Sequence, residues 1–283
     1  MSRLIVVEPG PYACFQDLGR PGRAHQGVPR SGAADRGSLR LGNRLVGNAE
    51  DAAGVEALFG SLVLEAVDDV VVAVTGASCE VTLGSRREGM HLALGLRAGG
   101  RLRCGTPTQG LRVYVTVRGG FVPPPVLGSR SYDELGRIGP PPLAAGDELV
   151  VGRDTPGAAW WEPAPIALPV TEPVLRLRRG PRDDWASAEA LTLLTSSIWT
   201  VRPDSNRTGL RLSGPELSRR VGELPSEPTV PGAVQLPADG QPILLGPDSG
   251  TTGGYPVLGV VFDEDLDHAG QSAPGTGLRF RWS

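Results

Sequence analysis

The sequence predicts a mainly β protein with a few short helices. Its 283 residues include 40 glycines and 27 prolines. These are spread along the chain, and short apolar runs recur between them. That pattern is typical of many short strands joined by tight turns. The length suits one large domain or two of medium size, with ample material for a hydrophobic core.

Strands and one helix are predicted in the first half of the chain. Leu4–Val7 is predicted to be the first strand. Asp35–Val46 is predicted to be a helix that ends at Gly47, because Leu41 and Leu45 share one face. The turn signals that follow favour an antiparallel barrel or sandwich. Further strands are predicted over Leu62–Glu65, Val70–Val74, Glu80–Leu83, His91–Leu94, Arg101–Arg103, Leu111–Val117 and Glu148–Val151.

A stretch rich in Pro, Ala and Trp, Asp154–Pro173, lacks periodicity and is predicted to link two halves. The domain boundary is placed between residues 160 and 161, which gives domains 1–160 and 161–283. The second half opens with a strand near Val174, followed by a short helix over about Ala186–Leu194. Later strands are predicted over Ile198–Val201, Leu210–Leu212, Ala233–Leu236, Ile243–Leu245, Val257–Phe262 and Leu278–Trp282.

One turn pattern occurs three times in the chain. A small residue or Pro precedes a Gly turn and a strand with Leu at the same offset. Simple hairpin chemistry explains the pattern, and so do two related barrels in tandem. The three copies are Ala98–Leu102, Ala145–Leu149 and Pro274–Leu278.

The charged residues exclude several functions. All 28 basic residues are Arg, so no lysine can form a Schiff base, carry biotin or reach a phosphate as in a Walker loop. A bound anion must be held by Arg, backbone N–H groups or a helix N-terminus. The net charge of -3 argues against nucleic acid as the main partner.

Cysteine and histidine usage points to a cytoplasmic protein without a bound metal. The three cysteines are odd in number and form no C-x-x-C pair, which suits a reducing cytoplasm. No signal peptide or membrane-spanning apolar run is visible. The three histidines lack metal-ligand spacing, so no metal site is expected.

The first candidate site is a polar block among glycines and prolines near the start of the chain. Such a block beside a helix start is a common way to build a site. The alternative is a helix cap with surface turns, in which Arg20 pairs with Asp17. Chemistry alone leaves both interpretations open. The candidate pocket residues are Gln16, Asp17, Arg20 and His25, with Ser31 and Asp35 near the helix start.

Two further candidates lie in the second half. The loop Asp248–Pro256 follows an apolar strand, and its backbone N–H groups and Thr hydroxyls could cradle an oxyanion. A wide hairpin turn is the alternative. Arg207 could clamp a carboxylate or phosphate bidentately, with two parallel N–H donors, or belong to a turn with a surface ion pair. The loop's candidate binding residues are Thr251, Thr252, Gly253, Gly254 and Tyr255.

A resemblance to a known family runs over nearly the whole chain, from about Val7 to Phe280, and four segments carry it. They read FQDLGRPGRAHQGVPRSGAADRGSLRLGNRLVGN, VRGGFVPPPVLGSRS, SNRTGLRLSGP and VPGAVQLPADGQPILLGPDSGTTGGYP. In this order they resemble the allophanate hydrolase subunit 2 family. That family is also described as the C subunit of bacterial ATP-dependent 5-oxoprolinase and as part of the carboxyltransferase domain of urea carboxylase.

The resemblance implies two cyclophilin-like β-barrel subdomains and an obligate partner, the allophanate hydrolase subunit 1 protein, which is the B subunit of 5-oxoprolinase. In 5-oxoprolinase a separate A subunit completes the reaction, which opens the 5-oxoproline lactam to glutamate as ATP is hydrolysed. The subunit that binds ATP is left open. In urea carboxylase the equivalent domain moves a carboxyl group from biotin to urea, and here biotin must be carried by another protein.

The activities implied by the resemblance all act on an amide or ureido group, and this chemistry suggests what the matched residues do. Amide resonance slows attack on the carbonyl, so a site must stabilise negative charge on its oxygen. Arg20, Arg207 and the Gly253–Gly254 backbone are the expected donors. Gln16, Asp17 and Gln235 are expected to read the amide group. Asp35 and Asp248 are expected to act as a base or to orient Thr251.

The predicted function is therefore a subunit of a cytoplasmic ATP-dependent amidohydrolase, 5-oxoprolinase. Two alternatives stay open: a carboxyltransferase-type subunit in urea or allophanate metabolism, and a regulatory protein that binds a kinase-inhibitor partner. The chain departs from the family pattern at Asn206, Ser213 and Gly250, which bears on substrate identity more than on fold.

Overall fold

A computed structural model describes residues 1–166 and 170–283. Its contacts divide the chain into two compact units. Unit 1 comprises Met1–Arg20, Ser31–Asp133 and Arg137–Pro169, and unit 2 comprises Pro21–Arg30, Glu134–Gly136 and Val170–Ser283. Both units contain separate stretches of the chain. The predicted boundary at residues 160 and 161 stays a prediction.

Unit 1 is built from two antiparallel sheets. The first has the strand order β11-β1-β4-β9-β6-β7 and the second β2-β3-β10-β5-β8. The strands are β1 (Arg3–Glu8), β2 (Tyr12–Gln16), β3 (Gly54–Leu58), β4 (Leu62–Ala66), β5 (Val70–Ser78), β6 (Val81–Leu83), β7 (Arg86–Glu88), β8 (Ala93–Leu96), β9 (Arg101–Cys104), β10 (Gln109–Val117) and β11 (Glu148–Val150).

The two sheets of unit 1 pack on one hydrophobic core. Leu4 and Leu64 of the first sheet and Val55 and Val113 of the second are fully buried in the same cluster. In β1, alternate side chains face this core, as expected for a sheet with one solvated face. Central strands β5 and β10 are buried on both faces, because the helix Arg36–Leu45 covers the outer side of their sheet.

Helix α1 (Arg36–Leu45) confirms the predicted helix. Asp35 is its N-cap, and a carboxylate oxygen accepts from the Ser38 N–H at 2.8 Å. The helix ends at Leu45, and Gly47 follows with a φ of 74°, in the left-handed region that glycine favours. A Cβ at Gly47 would lie 2.4 Å from Arg118 Nη1, so space as well as φ requires glycine.

Unit 2 is a closed barrel with the strand order β12-β19-β16-β17-β14-β13-β20. Outside it, β15 and β18 pair as a two-stranded ribbon. Helices α2 (Ala188–Ser196) and α3 (Leu266–Gly270) complete the unit. Its strands are β12 (Val174–Arg179), β13 (Trp199–Val201), β14 (Gly209–Ser213), β15 (Glu227–Pro228), β16 (Ala233–Gln235), β17 (Ile243–Leu245), β18 (Thr252–Gly253), β19 (Val257–Val261) and β20 (Gly277–Trp282).

The core of unit 2 is centred on Trp199, Leu244 and Phe280, which are almost fully buried. The Trp199 ring donates its Nε1–H to the Leu194 carbonyl at 2.9 Å, which fixes α2 against β13. A Cβ at Gly214 would lie 2.7 Å from the same ring, so glycine is required by the close approach.

The repeated turn has the same geometry in its three copies. Gly99, Gly146 and Gly275 have φ of 74°, 92° and 85°. In each turn the next residue's N–H bonds to the carbonyl three positions earlier. Positive φ at this position is what a type II turn demands of glycine. The leucine three residues after each glycine is buried, so the pattern marks one structural device used in both units.

The mainly β prediction is confirmed, with local differences. The helix predicted over Ala186–Leu194 begins two residues later, after the Ser187 N-cap. The strand predicted over His91–Leu94 is displaced to β8. Residues 167–169 of the predicted linker lie outside the described residues. Earlier in that linker, Trp160 N–H bonds to Leu45 O, and Trp160 O accepts from Ala93 N–H, so this part is docked on unit 1.

In the described ranges 1–166 and 170–283, no helix is long and apolar enough to cross a membrane.

Candidate functional site

Asp17 is the centre of a satisfied hydrogen-bond cluster in unit 1. Its buried carboxylate accepts from the hydroxyls of Ser129 and Ser131 at 2.6 Å each. It also accepts from the backbone N–H groups of Gly19 at 2.7 Å and Arg130 at 2.6 Å. A carboxylate that accepts from four donors fixes the loop that supplies them. The geometry therefore gives Asp17 a positioning role.

Arg20 is buried, which corrects the alternative of a surface turn. Its guanidinium Nη2 donates to the Ser131 carbonyl, and the residue is 2% exposed. Sequence reasoning missed Ser129 and Ser131. They lie 112 and 114 positions from Asp17 in sequence, so the contact could not be predicted locally. The available signal was Ser-Arg-Ser after a Gly turn, a pattern that indicates a loop with hydroxyl groups.

Gln16 and Ser31 converge on one backbone carbonyl. Gln16 Nε2 donates to Tyr132 O at 2.9 Å, and the Ser31 hydroxyl donates to the same oxygen at 3.1 Å. Ser31 has φ of 55°, a strained value for a non-glycine residue. Gln16 is fully buried, so its amide reaches the chain's own backbone rather than the surface.

Asp35 caps α1 and is linked to a buried network that sequence reasoning missed. The Asp35 N–H donates to the Tyr114 hydroxyl at 2.8 Å, which donates to Glu56 Oε2 at 2.7 Å. Arg112 Nε donates to Glu56 Oε1 at 3.2 Å. Burial, followed by the negative charge of Glu56, raises the pKa of Tyr114 well above its usual value. Charged residues inside the apolar strands β3 and β10 were the available signal.

Arg207 and Asp248 form a buried ion pair in unit 2. Arg207 Nε lies 2.7 Å from Asp248 Oδ2, and Nη2 lies 3.0 Å from Oδ1. Their side chains are 3% and 0% exposed. Asp248 Oδ2 also accepts the Glu134 N–H at 3.0 Å. Arg207 therefore directs at Asp248 the guanidinium edge that the sequence suggested for a ligand. Because both side chains are buried, the alternative of a surface ion pair is wrong. The geometry gives both residues a positioning role.

The loop after Asp248 is held at its start and exposed at its tip. The N–H groups of Gly246, Asp248 and Ser249 donate to backbone carbonyls of Thr208, Arg207 and Gly246. Thr251 is half-buried, whereas the other end of the loop faces solvent. The exposed residues are Thr252, Gly254 and Tyr255.

Gln235 lies beneath this loop. Its side chain is 5% exposed, and Nε2 has no hydrogen-bond partner among the described residues. A Cβ at Gly253 would lie 2.7 Å from this nitrogen, so the glycine permits the approach. His25, by contrast, lies exposed in a short 3-10 helix, Ala24–Gln26.

The predicted site residues therefore form two groups. Unit 1 brings together Gln16, Asp17, Arg20 and Ser31, with Asp35 at the helix start; unit 2 brings together Arg207 with Asp248, and Gln235 with Gly253. That the opening block shares one pocket with the later loops stays a prediction. Across the described residues, no three His, Cys, Asp or Glu side chains are grouped as a metal site.

Comparison with known proteins decides the family. The family model for the carboxyltransferase domain, subdomains A and B, matches residues 26–282. The chain belongs to this family. It is 34% identical over 281 residues to the C subunit of 5-oxoprolinase from Escherichia coli (strain K12), and the alignment covers 98% of this chain and 90% of that protein. The family resemblance predicted from the motifs is confirmed.

Other proteins similar to this chain are longer than it. Urea amidolyase of Lachancea kluyveri is 30% identical over 97% of this chain and 16% of that protein. The crystal structure of TTHA0988 superposes with a TM-score of 0.91 at 36% identity, over 99% of this chain and 55% of that one. This chain thus spans about half of it. The crystal structure of Kluyveromyces lactis urea carboxylase superposes with a TM-score of 0.88 at 28% identity, over 98% of this chain and 27% of that chain.

Proposed function

We propose that the chain is the C subunit of a cytoplasmic ATP-dependent 5-oxoprolinase. The complex would convert 5-oxoproline, ATP and water to glutamate, ADP and phosphate, with the B subunit as the direct partner and a separate A subunit. The observation that supports this most is the similarity to the C subunit of 5-oxoprolinase, which extends over 98% of this chain and 90% of that protein. By contrast, the alignment with urea amidolyase covers 16% of the length of that protein.

The geometry of unit 2 suits recognition of the uncharged lactam group of 5-oxoproline. The charge of Arg207 is directed at Asp248, and that pair fixes the start of the loop. The groups left to meet a ligand are neutral: Gln235 and the exposed Thr252 and Gly254. Neutral donors placed at a carbonyl oxygen stabilise the negative charge that develops when the lactam is attacked.

We place ATP on another subunit. A phosphate-binding loop presents free N–H groups to the phosphates. Here the N–H groups of Gly246, Asp248 and Ser249 are bonded to the chain's own carbonyls. The chain also has no lysine to reach a phosphate. Its part in the reaction would be to hold the lactam while another subunit supplies the nucleotide.

The test is reconstitution with the matching A and B subunits. ADP formation that depends on 5-oxoproline is measured with the complete complex and with each subunit omitted in turn. We expect full activity only when this chain is present. Activity that is unchanged without it would overturn the proposal.

A carboxyltransferase is the second candidate, favoured by the structural match to urea carboxylase. Without lysine, the chain cannot carry biotin covalently, so a separate biotinylated protein would have to deliver the carboxyl group. Bicarbonate-dependent carboxylation of urea, measured with a biotinylated carrier and its carboxylase, distinguishes the two. We expect none above the level seen without this chain.

A further inference from the structure

Gln235 carries a buried side-chain donor, the amide nitrogen Nε2. It ends strand β16, where pairing with Ile243 and Val257 fixes its backbone. Its side-chain nitrogen is covered and has no hydrogen-bond partner in the parts of the chain that the structure describes. Buried polar groups in native proteins are nearly always bonded, and exceptions commonly mark a site that a ligand or water completes.

The cover over this nitrogen is the β15–β18 ribbon. Gly253 of β18 stands directly against it, and a Cβ there would lie 2.7 Å from Gln235 Nε2 and 3.3 Å from Thr229 Cγ2. Any larger residue would displace the amide. The glycine therefore brings the ribbon into contact with Gln235 without giving its donor an acceptor.

The ribbon is small and held by few bonds. Each of its strands has two residues. Thr229 ties the two sides together, through its N–H to Thr251 O at 2.9 Å and its hydroxyl to Gly250 O at 2.6 Å. Glu227 is anchored by Arg182. A two-stranded ribbon of this size is marginal alone. Local opening in proteins is drawn from such elements with few buried contacts.

We propose that the β15–β18 ribbon is a lid over Gln235, and that Gln235 Nε2 donates to the carbonyl oxygen of a planar amide ligand when the lid admits it. The nitrogen is a donor only, so its occupant must offer an acceptor. A neutral donor suits the oxygen of a lactam or ureido group. The choice of a lactam as the natural ligand rests on the proposed function.

The direct test is NMR of the full chain with three probes: 5-oxoproline, 2-pyrrolidone and urea. The side-chain NH2 signals of Gln235 are assigned as the pair that disappears in Gln235→Met. We expect at least one probe to shift this pair while the signals of Gln241 stay in place. Gln241 is the matched control because its amide already bonds to Gly214 in both directions.

Two substitutions test the geometry. Gln235→Met keeps the length of the side chain and removes its donor, and Gly253→Ala places a methyl group against Nε2. Each should weaken the Kd of the responding probe about tenfold, the effect of one lost hydrogen bond. Gln241→Met and Gly95→Ala should leave it unchanged, since a Cβ at exposed Gly95 meets nothing within 4 Å. Unfolding temperatures check that each variant folds.

Three outcomes overturn the proposal. One is that no probe shifts the Gln235 signals, which would assign the buried nitrogen to a water molecule only. Another is an unchanged Kd in both Gln235→Met and Gly253→Ala. The third is measured in the reconstituted complex: if Gln235→Met lowers kcat and leaves KM unchanged, Gln235 does not have a binding role. If the wild-type complex fails to open 5-oxoproline, the proposed function fails, and the titration alone decides on Gln235.

Discussion

Arg207 and Asp248, both expected from the sequence to take part in catalysis, pair with each other in the interior of unit 2. Removing the guanidinium would leave a buried, uncompensated charge on Asp248. The two residues were identifiable from sequence as chemically important. Their mutual pairing was not, because they lie 41 positions apart and contact only when β14 and β17 are neighbours.

Arg207→Ala should lower the free energy of unfolding by about 3–5 kcal/mol, because it leaves the buried charge of Asp248 without its ion-pair partner. Arg202→Ala is the control, because Arg202 and Asp204 form an exposed pair in the same unit whose loss should cost at most about 1 kcal/mol. Urea unfolding of both variants measures the difference. Equal effects would show that the Arg207 pair is not buried in solution.

Tyr114 carries a pH dependence with a definite sign. Burial and the charge of Glu56 raise its pKa well above its usual value, so the unfolded chain ionises first. Its stabilising contribution is present below the unfolded pKa of about 10 and is lost as pH rises through the folded pKa. In Tyr114→Phe this part of the alkaline loss should be absent.

The same substitution should cost about 1–3 kcal/mol at neutral pH, because the Asp35 N–H and Glu56 each lose a partner. Free energies of unfolding measured from about pH 8 to pH 11 test both statements. Identical alkaline slopes in the two proteins would mean that Tyr114 ionises normally.

At the scale of elements, local rules gave the helix and many of the strands. Helix α1 has a cap, an apolar face and a glycine stop within the chain segment itself, so its limits could be predicted. Strands β2 and β3 were missed because they are buried on both faces and lack polar–apolar alternation. In β2 the residues Cys14–Gln16 run into the polar block, which obscured the strand.

Two substitutions at Asp35 distinguish a helix-capping role from a catalytic role. Asp35→Asn keeps an oxygen that can accept the Ser38 N–H and should change stability by only a few tenths of a kcal/mol, whereas Asp35→Ala should cost about 0.5–2 kcal/mol. If Asp35 is only a cap, the reconstituted activity of Asp35→Asn stays near that of the wild type. Lost activity in a stable Asp35→Asn protein would assign it a chemical role.

At the scale of the whole molecule, composition predicted a mainly β chain and the motifs predicted its family. The closed barrel of unit 2 and the two sheets of unit 1 depend on pairings such as β12 with β20, which are far apart in sequence. Those pairings leave no local signal. The same reason explains why the Asp17 and Gln235 environments had to be found in the structure.

The central claim is that this chain is required for opening a lactam at the expense of ATP. Glutamate and ADP formed from 5-oxoproline by the complete complex, with and without this chain, measure it most directly. The account predicts one glutamate per ADP in the complete complex and background glutamate when the chain is omitted. Background glutamate from the complete complex, or undiminished glutamate without the chain, would contradict it.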